Sequence, residues 1–117
     1  MTFAQFNTEL NATQQVAAWR FVPQNLAVRV GQSITATNVG GEVHTFTQVA
    51  QFGGGIVPAL NSASGNTTVA PECLAIGAGD MISSGGTFVA AAETTARTEH
   101  YQCCIHPWMR ADVVVSG

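Results

Sequence analysis

The segment YQCCIHPWMR, residues 101–110, places two adjacent cysteines, a histidine and a methionine within ten positions near the C-terminus. Counted from Cys103, the order is cysteine, two residues, His106, two residues, Met109. One short loop therefore offers a thiolate, an imidazole and a thioether. That set suits copper cycling between Cu(I) and Cu(II), above all when a second histidine completes a trigonal plane and the methionine sits as a long axial ligand. His44, in GGEVHTFT, is the candidate second histidine, because it follows a Gly-Gly turn at the head of an alternating, strand-like run. Three donors on one loop and a fourth from far away in the chain make a specific pattern.

Blander readings exist for each residue alone: a core cysteine, a surface histidine, a gap-filling methionine. The joint spacing, Pro107 directly after His106 and the upstream His44 argue against them together. Cys104 does not substitute for Cys103, since it leaves one residue before His106 and four before Met109 and points off the other face of the strand. His100, three residues before Cys103, falls on the opposite face and is expected on the surface. Cys73 and Cys104 leave two options open. A disulfide needs an oxidising compartment and Cα atoms within about 7 Å; the alternative is two separate buried thiols. Nothing in the sequence brings the two together, so free thiols are the favoured expectation.

The elements that must position these donors read as strands. Runs of β-branched and aromatic residues alternate with polar ones in VAAWRFV (16–22), NLAVRV (25–30), SITATNV (33–39), VHTFTQV (43–49), GTFVAAA (86–92), EHYQCC (99–104) and RADVVVS (110–116). In SITATNV, Ile34 and Ala36 share one face while Ser33, Thr35 and Thr37 share the other. VGQ (30–32) and NVGGE (38–42) read as hairpin connections. The pattern predicts an all-β, antiparallel Greek-key β-sandwich of seven or eight strands, in which the ligand loop joins the last two. Residues 51–80 carry little periodicity and many glycines, with one helical turn expected in APECLA; a stretch of that length is usually functional or a decorated crossover.

At 117 residues, the chain fits a single domain, 1–117, able to bury a core. It has no lysine; Arg20, Arg29, Arg97 and Arg110 oppose seven acidic residues for a net charge of −3. Nucleic-acid binding needs a basic footprint, which four scattered arginines do not form. The longest uncharged stretch, 43–71, is broken by glycine and proline and predicts no membrane span. The N-terminus lacks the basic and apolar regions of an export signal.

With these residues in view, the chain resembles the cupredoxins, the small type 1 (blue) copper proteins. YQCCIHPWMR is similar to the Tyr-x-Cys-x-x-His-Pro-x-Met ligand loop of the amicyanin and plastocyanin-like branch, and FVPQNLAVRVGQSITATNVGGEVHTFT is similar to that family's upstream half. The resemblance spans roughly residues 19–49 and 86–116, while 50–85 is longer and richer in glycine than in simple members. It implies one copper ion, with His44, Cys103 and His106 equatorial, Met109 axial and the Val43 carbonyl near the opposite axial position. Thr45 stands where many relatives carry an asparagine that bonds across the site, which implies a looser surround for the ligands.

The resemblance further implies a periplasmic or otherwise extracytoplasmic monomer whose redox partner proteins dock near His106, Pro107 and Trp108, with Phe52 or Ile56 adjoining. Electron transfer is the leading expectation. A copper carrier or storage module is the alternative, although such sites favour methionine-rich or all-thiolate ligation. An enzyme is disfavoured: four protein ligands leave no open position, and Cys103 and His106 on one turn leave no cleft for nucleophilic catalysis. Structural zinc sites rarely recruit methionine.

Overall fold

The computed structural model describes Gln5, Glu9, Leu10 and residues 20–117. Among these residues, six strands form: β1 Asn25–Arg29, β2 Thr35–Thr37, β3 Thr47–Val49, β4 Thr87–Val89, β5 Arg97–Gln102 and β6 Arg110–Ser116. A short helix, α1 (Pro58–Ala63), and 3₁₀ turns at Pro71–Ala75 and Ala78–Asp80 lie between β3 and β4. The class is all-β, as expected, with fewer strands than the alternating runs predicted. Most of VAAWRFV lies outside the described residues, and Arg20 to Val22 are not in a strand.

The strands form two sheets, β1-β6-β5-β3 and β2-β4. β6 is antiparallel to β5 but parallel to β1, which corrects the expected antiparallel sandwich, and it shares the interior of the larger sheet with β5. Its alternation explains the placement: Ala111, Val113 and Val115 are buried while Val114 is exposed. Ile34, Phe46, Ile82 and Ala90 meet them from across the sandwich, with Phe46 stacked on Tyr101 at 4.2 Å between ring centroids. Ile34 is buried and Thr35 and Thr37 are exposed, as the alternation in SITATNV predicted.

The two expected hairpins are corrected. Neither 30–32 nor 38–42 joins paired neighbours, because β1 pairs with β6 and β2 pairs with β4. Each turn instead carries the chain from one sheet to the other. Gly31, with φ of 95°, makes the first of these reversals.

Candidate metal centre

The ligand loop is the hairpin between β5 and β6, whose last paired residues are Gln102 and Arg110. Within it, the Cys103 amide donates to the Met109 carbonyl at 3.0 Å and the Met109 amide to the His106 carbonyl at 2.9 Å. Arg110 closes the base, its Nε donating to the Pro107 carbonyl at 3.0 Å and its Nη2 to Asn66 Oδ1 at 2.6 Å. These bonds fold the loop back on itself and turn Cys103, His106 and Met109 inward, all three buried.

His44 lies between β2 and β3, outside both strands. It is not within a continuous strand 43–49, because β3 begins only at Thr47; a two-bond bridge to Ile82 holds it instead, at 3.1 and 2.7 Å. Asn38 shapes the approach, accepting from the Gly40 amide and donating to the Ile82 carbonyl. The geometry that makes His44 a ligand candidate therefore comes from a bridge and an asparagine, not from strand pairing.

The three donor atoms converge. His44 Nδ1 and His106 Nδ1 are 3.1 Å apart, and each lies 3.9 Å from Cys103 Sγ. His44, Cys103 and His106 are the buried group of possible metal ligands among the described residues. Separations of this size let all three atoms reach one first-row ion at ordinary bond lengths, about 2.0 Å to nitrogen and about 2.3 Å to sulfur. Two imidazoles with a thiolate are a donor set that would suit copper.

Burial acts in the same direction. It pushes the His106 imidazole down to about 4, with the nearby His44 adding to the effect. Burial likewise lowers His44, partly offset by the Glu42 charge. Both rings are therefore neutral at pH 7 and present the lone pair that a metal requires. Around the sulfur, the amides of Thr45, Ile105 and His106 each donate at 3.4 Å. Such N–H···S contacts tune the electron density of a ligating sulfur.

Met109 is buried and lines, with His44, a cavity of about 470 Å³ between the sheets. His100 is directed away from the group, as expected: its Nδ1 meets Asp112 Oδ1 at 2.6 Å and its ring lies against Phe52. Trp108 is partly exposed and packs edge-on to His106, and Ile56 is exposed. Pro107 is corrected as a docking residue, since it is fully buried within the loop.

Two further corrections concern the residues beside the ligands. Cys73 and Cys104 are not free thiols; they form a disulfide with Cα atoms 5.4 Å apart, leaving Cys103 as the free cysteine. Thr45 is not a weak stand-in for asparagine. Its hydroxyl accepts from the Cys104 amide at 2.8 Å and from Thr47 Oγ1 at 3.0 Å, bonding across the site with the shorter side chain.

What backs the loop comes from the segment between β3 and β4. Gly53, Gly54 and Gly55 run against it; two buried amide side chains satisfy the backbone of Gly53 and Gly55, and a bridge to the Val69 segment satisfies Gly54. Gln102 exchanges two bonds with Gly53, at 3.0 and 3.1 Å, and Asn61 exchanges two with Gly55, at 2.7 and 2.8 Å. A Cβ on Gly55 would run into the Cys104 carbonyl, and one on Gly53 would come within 2.7 Å of the Thr68 carbonyl. The glycine triplet was the available signal, marking a close backbone approach.

No protein-family model and no curated sequence matches the chain. Solved structures do. A purple cupredoxin from Nitrosopumilus maritimus is 22% identical, with 86% of each chain covered and a TM-score of 0.60. A proline-to-phenylalanine variant of amicyanin in its reduced state is 25% identical over 87% of this chain and 78% of that one, with a TM-score of 0.57. The Cu(I) form of a methionine-to-alanine amicyanin variant is 22% identical over the same shares, with a TM-score of 0.58. With its two facing sheets and a His-Cys-His group at the last hairpin, the chain has the cupredoxin fold.

Proposed function

We propose that the chain is a small blue copper protein that carries single electrons between redox partners. His44, Cys103, His106 and Met109 would hold the copper ion. The observation that supports this reading is the set of donor separations among His44, His106 and Cys103, 3.1, 3.9 and 3.9 Å, which lets all three atoms reach one ion. Copper, when bound, supplies a one-electron couple between Cu(I) and Cu(II). The chain supplies neutral imidazoles, amides aimed at the sulfur and a hydrogen-bonded loop that keeps the donors in place. Trp108, edge-on to His106, and the exposed Ile56 offer the apolar surface on which a partner seats. The whole chain acts as one copper-binding unit and is not an enzyme.

The extracytoplasmic location rests on the Cys73–Cys104 disulfide, because such bonds persist in oxidising compartments. No described helix is long and apolar enough to cross a membrane. The same disulfide weighs against copper delivery, since it withdraws two of the three thiols from soft-metal ligation.

Addition of Cu(II) to the apoprotein tests the reading. An intense visible charge-transfer band with narrow copper hyperfine splitting is expected, and Cys103→Ala should abolish it. A colourless Cu(II) protein would overturn the proposal.

A further inference from the structure

A second cysteine stands directly beside the ligating one, and every bonding group of that neighbour is engaged. The Cys104 amide donates to Thr45 Oγ1 at 2.8 Å, its carbonyl accepts from the Ile56 amide at 2.6 Å, and its sulfur is bonded to Cys73 in the 3₁₀ turn Pro71–Ala75. Gly55 lies flat against the same carbonyl, where no side chain would fit. The sulfurs sit in an apolar cluster with Val49 and Ala70, packed by Phe52, Val69 and Ile76. Three separate segments of the chain thus converge on one residue, which is wholly buried.

We infer that Cys104 is the positioning residue for the Cys103 thiolate, the disulfide and its two backbone bonds together fixing the direction of the ligand sulfur. This rests on the copper reading above and deepens it. The backbone of a residue held from three sides cannot rotate, so the adjacent Cys103 inherits a fixed frame. Thr45 couples the two: its amide donates to Cys103 Sγ at 3.4 Å while its hydroxyl holds the Cys104 amide. Thr45 also follows His44 directly, so one short segment registers the distant histidine against both the sulfur and its anchor. Functional constellations need placement within about 0.5 Å, which a free hairpin loop does not deliver unaided. The middle segment, residues 51–80, therefore serves as the support of the ligand loop: it contributes Gly55, Ile56 and Cys73.

The double variant Cys73→Ala/Cys104→Ala tests this, compared with the intact chain and with Val115→Ala, a core change at the far end of β6. Each protein is loaded with Cu(II), and separately with Co(II) or Zn(II). In the double variant, the charge-transfer bands should change in position and relative intensity, and metal should dissociate about 10-fold faster or more. Val115→Ala should lose stability and leave both readouts unchanged. An unaltered spectrum and dissociation rate in the double variant, with only stability reduced, would make the disulfide a plain staple and overturn the inference.

Should the double variant not fold, Thr45→Val keeps the disulfide and removes one anchor; the same spectral displacement is expected, and its absence overturns the inference. Thiol titration of the denatured intact chain should find one reactive cysteine before reduction and three after. Three before reduction would remove the anchor and the inference with it. Should Cu(II) give no colour in the intact chain, the electron-carrier reading fails by itself, and the Co(II) spectrum with Zn(II) release decides the positioning role.

Discussion

His44 Nδ1 faces His106 Nδ1 at 3.1 Å, although 62 residues separate them in the chain. Two neutral rings that close share either one proton or one metal ion. Metal should therefore raise the unfolding temperature by selective binding to the folded state. His44→Ala should lose most of that rise. His100→Ala should keep it, because His100 is paired with Asp112 away from the group. Calorimetry of apo and loaded forms distinguishes the two histidines.

Thr45→Val keeps the shape of the side chain and removes the acceptor for the Cys104 amide. A buried N–H left unpaired costs about 1–3 kcal/mol. Thr45→Ser retains the hydroxyl and should lose clearly less. Denaturant unfolding of the two metal-free variants gives the comparison; equal losses would mean that the hydrogen bond is worth no more than the one methyl that Thr45→Ser removes.

Gly55→Ala drives a Cβ into the Cys104 carbonyl, a backbone atom held by the Ile56 amide. Overpacking of this type costs about 1–3 kcal/mol or more. Gly41→Ala and Gly79→Ala meet open space without positive φ and should stay within about 0.5 kcal/mol of the parent. Thermal melts of the three variants check the contrast.

A buried acidic pair, Glu99 on β5 four residues ahead of Cys103 and Glu93 just before that strand, sets a dependence on pH. Burial raises the Glu93 carboxyl above its ordinary 4.5, helped by its hydrogen bond to Glu99. Burial also pushes Glu99 upward, but hydrogen bonds from Glu93, Arg97 and Tyr101 and the Arg97 charge outweigh it, and Glu99 is held below 4.5. Arg97 Nη2 lies 2.7 Å from Glu99 and Tyr101 donates to it at 3.2 Å. The two signs differ. Glu93, being raised, contributes stability that is full below 4.5 and is lost as pH climbs through its raised value; Glu99, being lowered, contributes stability above 4.5 that is lost as pH falls through its depressed value. Glu93→Gln keeps a donor toward Glu99 at every pH, so the decline on the alkaline side should flatten while the acid side persists. A pH series of unfolding midpoints that is superimposable on the parent would refute the shared proton.

The sequence by itself marked the candidate donors of the last hairpin and the strand that follows them. Cys103, His106 and Met109 lie so near in the chain that a tight hairpin must gather them, and the alternation of RADVVVS settles which face of β6 is buried. The 3₁₀ turn at Pro71–Ala75 was legible in APECLA for the same local reason. Only the tertiary structure decided how His44 is held, which sheet each turn serves and what Cys104 is for. The bridge from His44 to Ile82, the parallel pairing of β1 with β6 and the disulfide to Cys73 join residues far apart in the chain. Hydrophobic period is blind to such contacts. The segment 51–80 was hardest to read because Gly53 and Gly55 are satisfied by the Gln102 and Asn61 side chains and Gly54 by a single isolated bridge, so no alternating pattern arises; α1 is six residues long and likewise too short to show a helical period. Local pattern supplied the candidate donors, and long-range backbone and sulfur contacts supplied the frame that brings His44 to them.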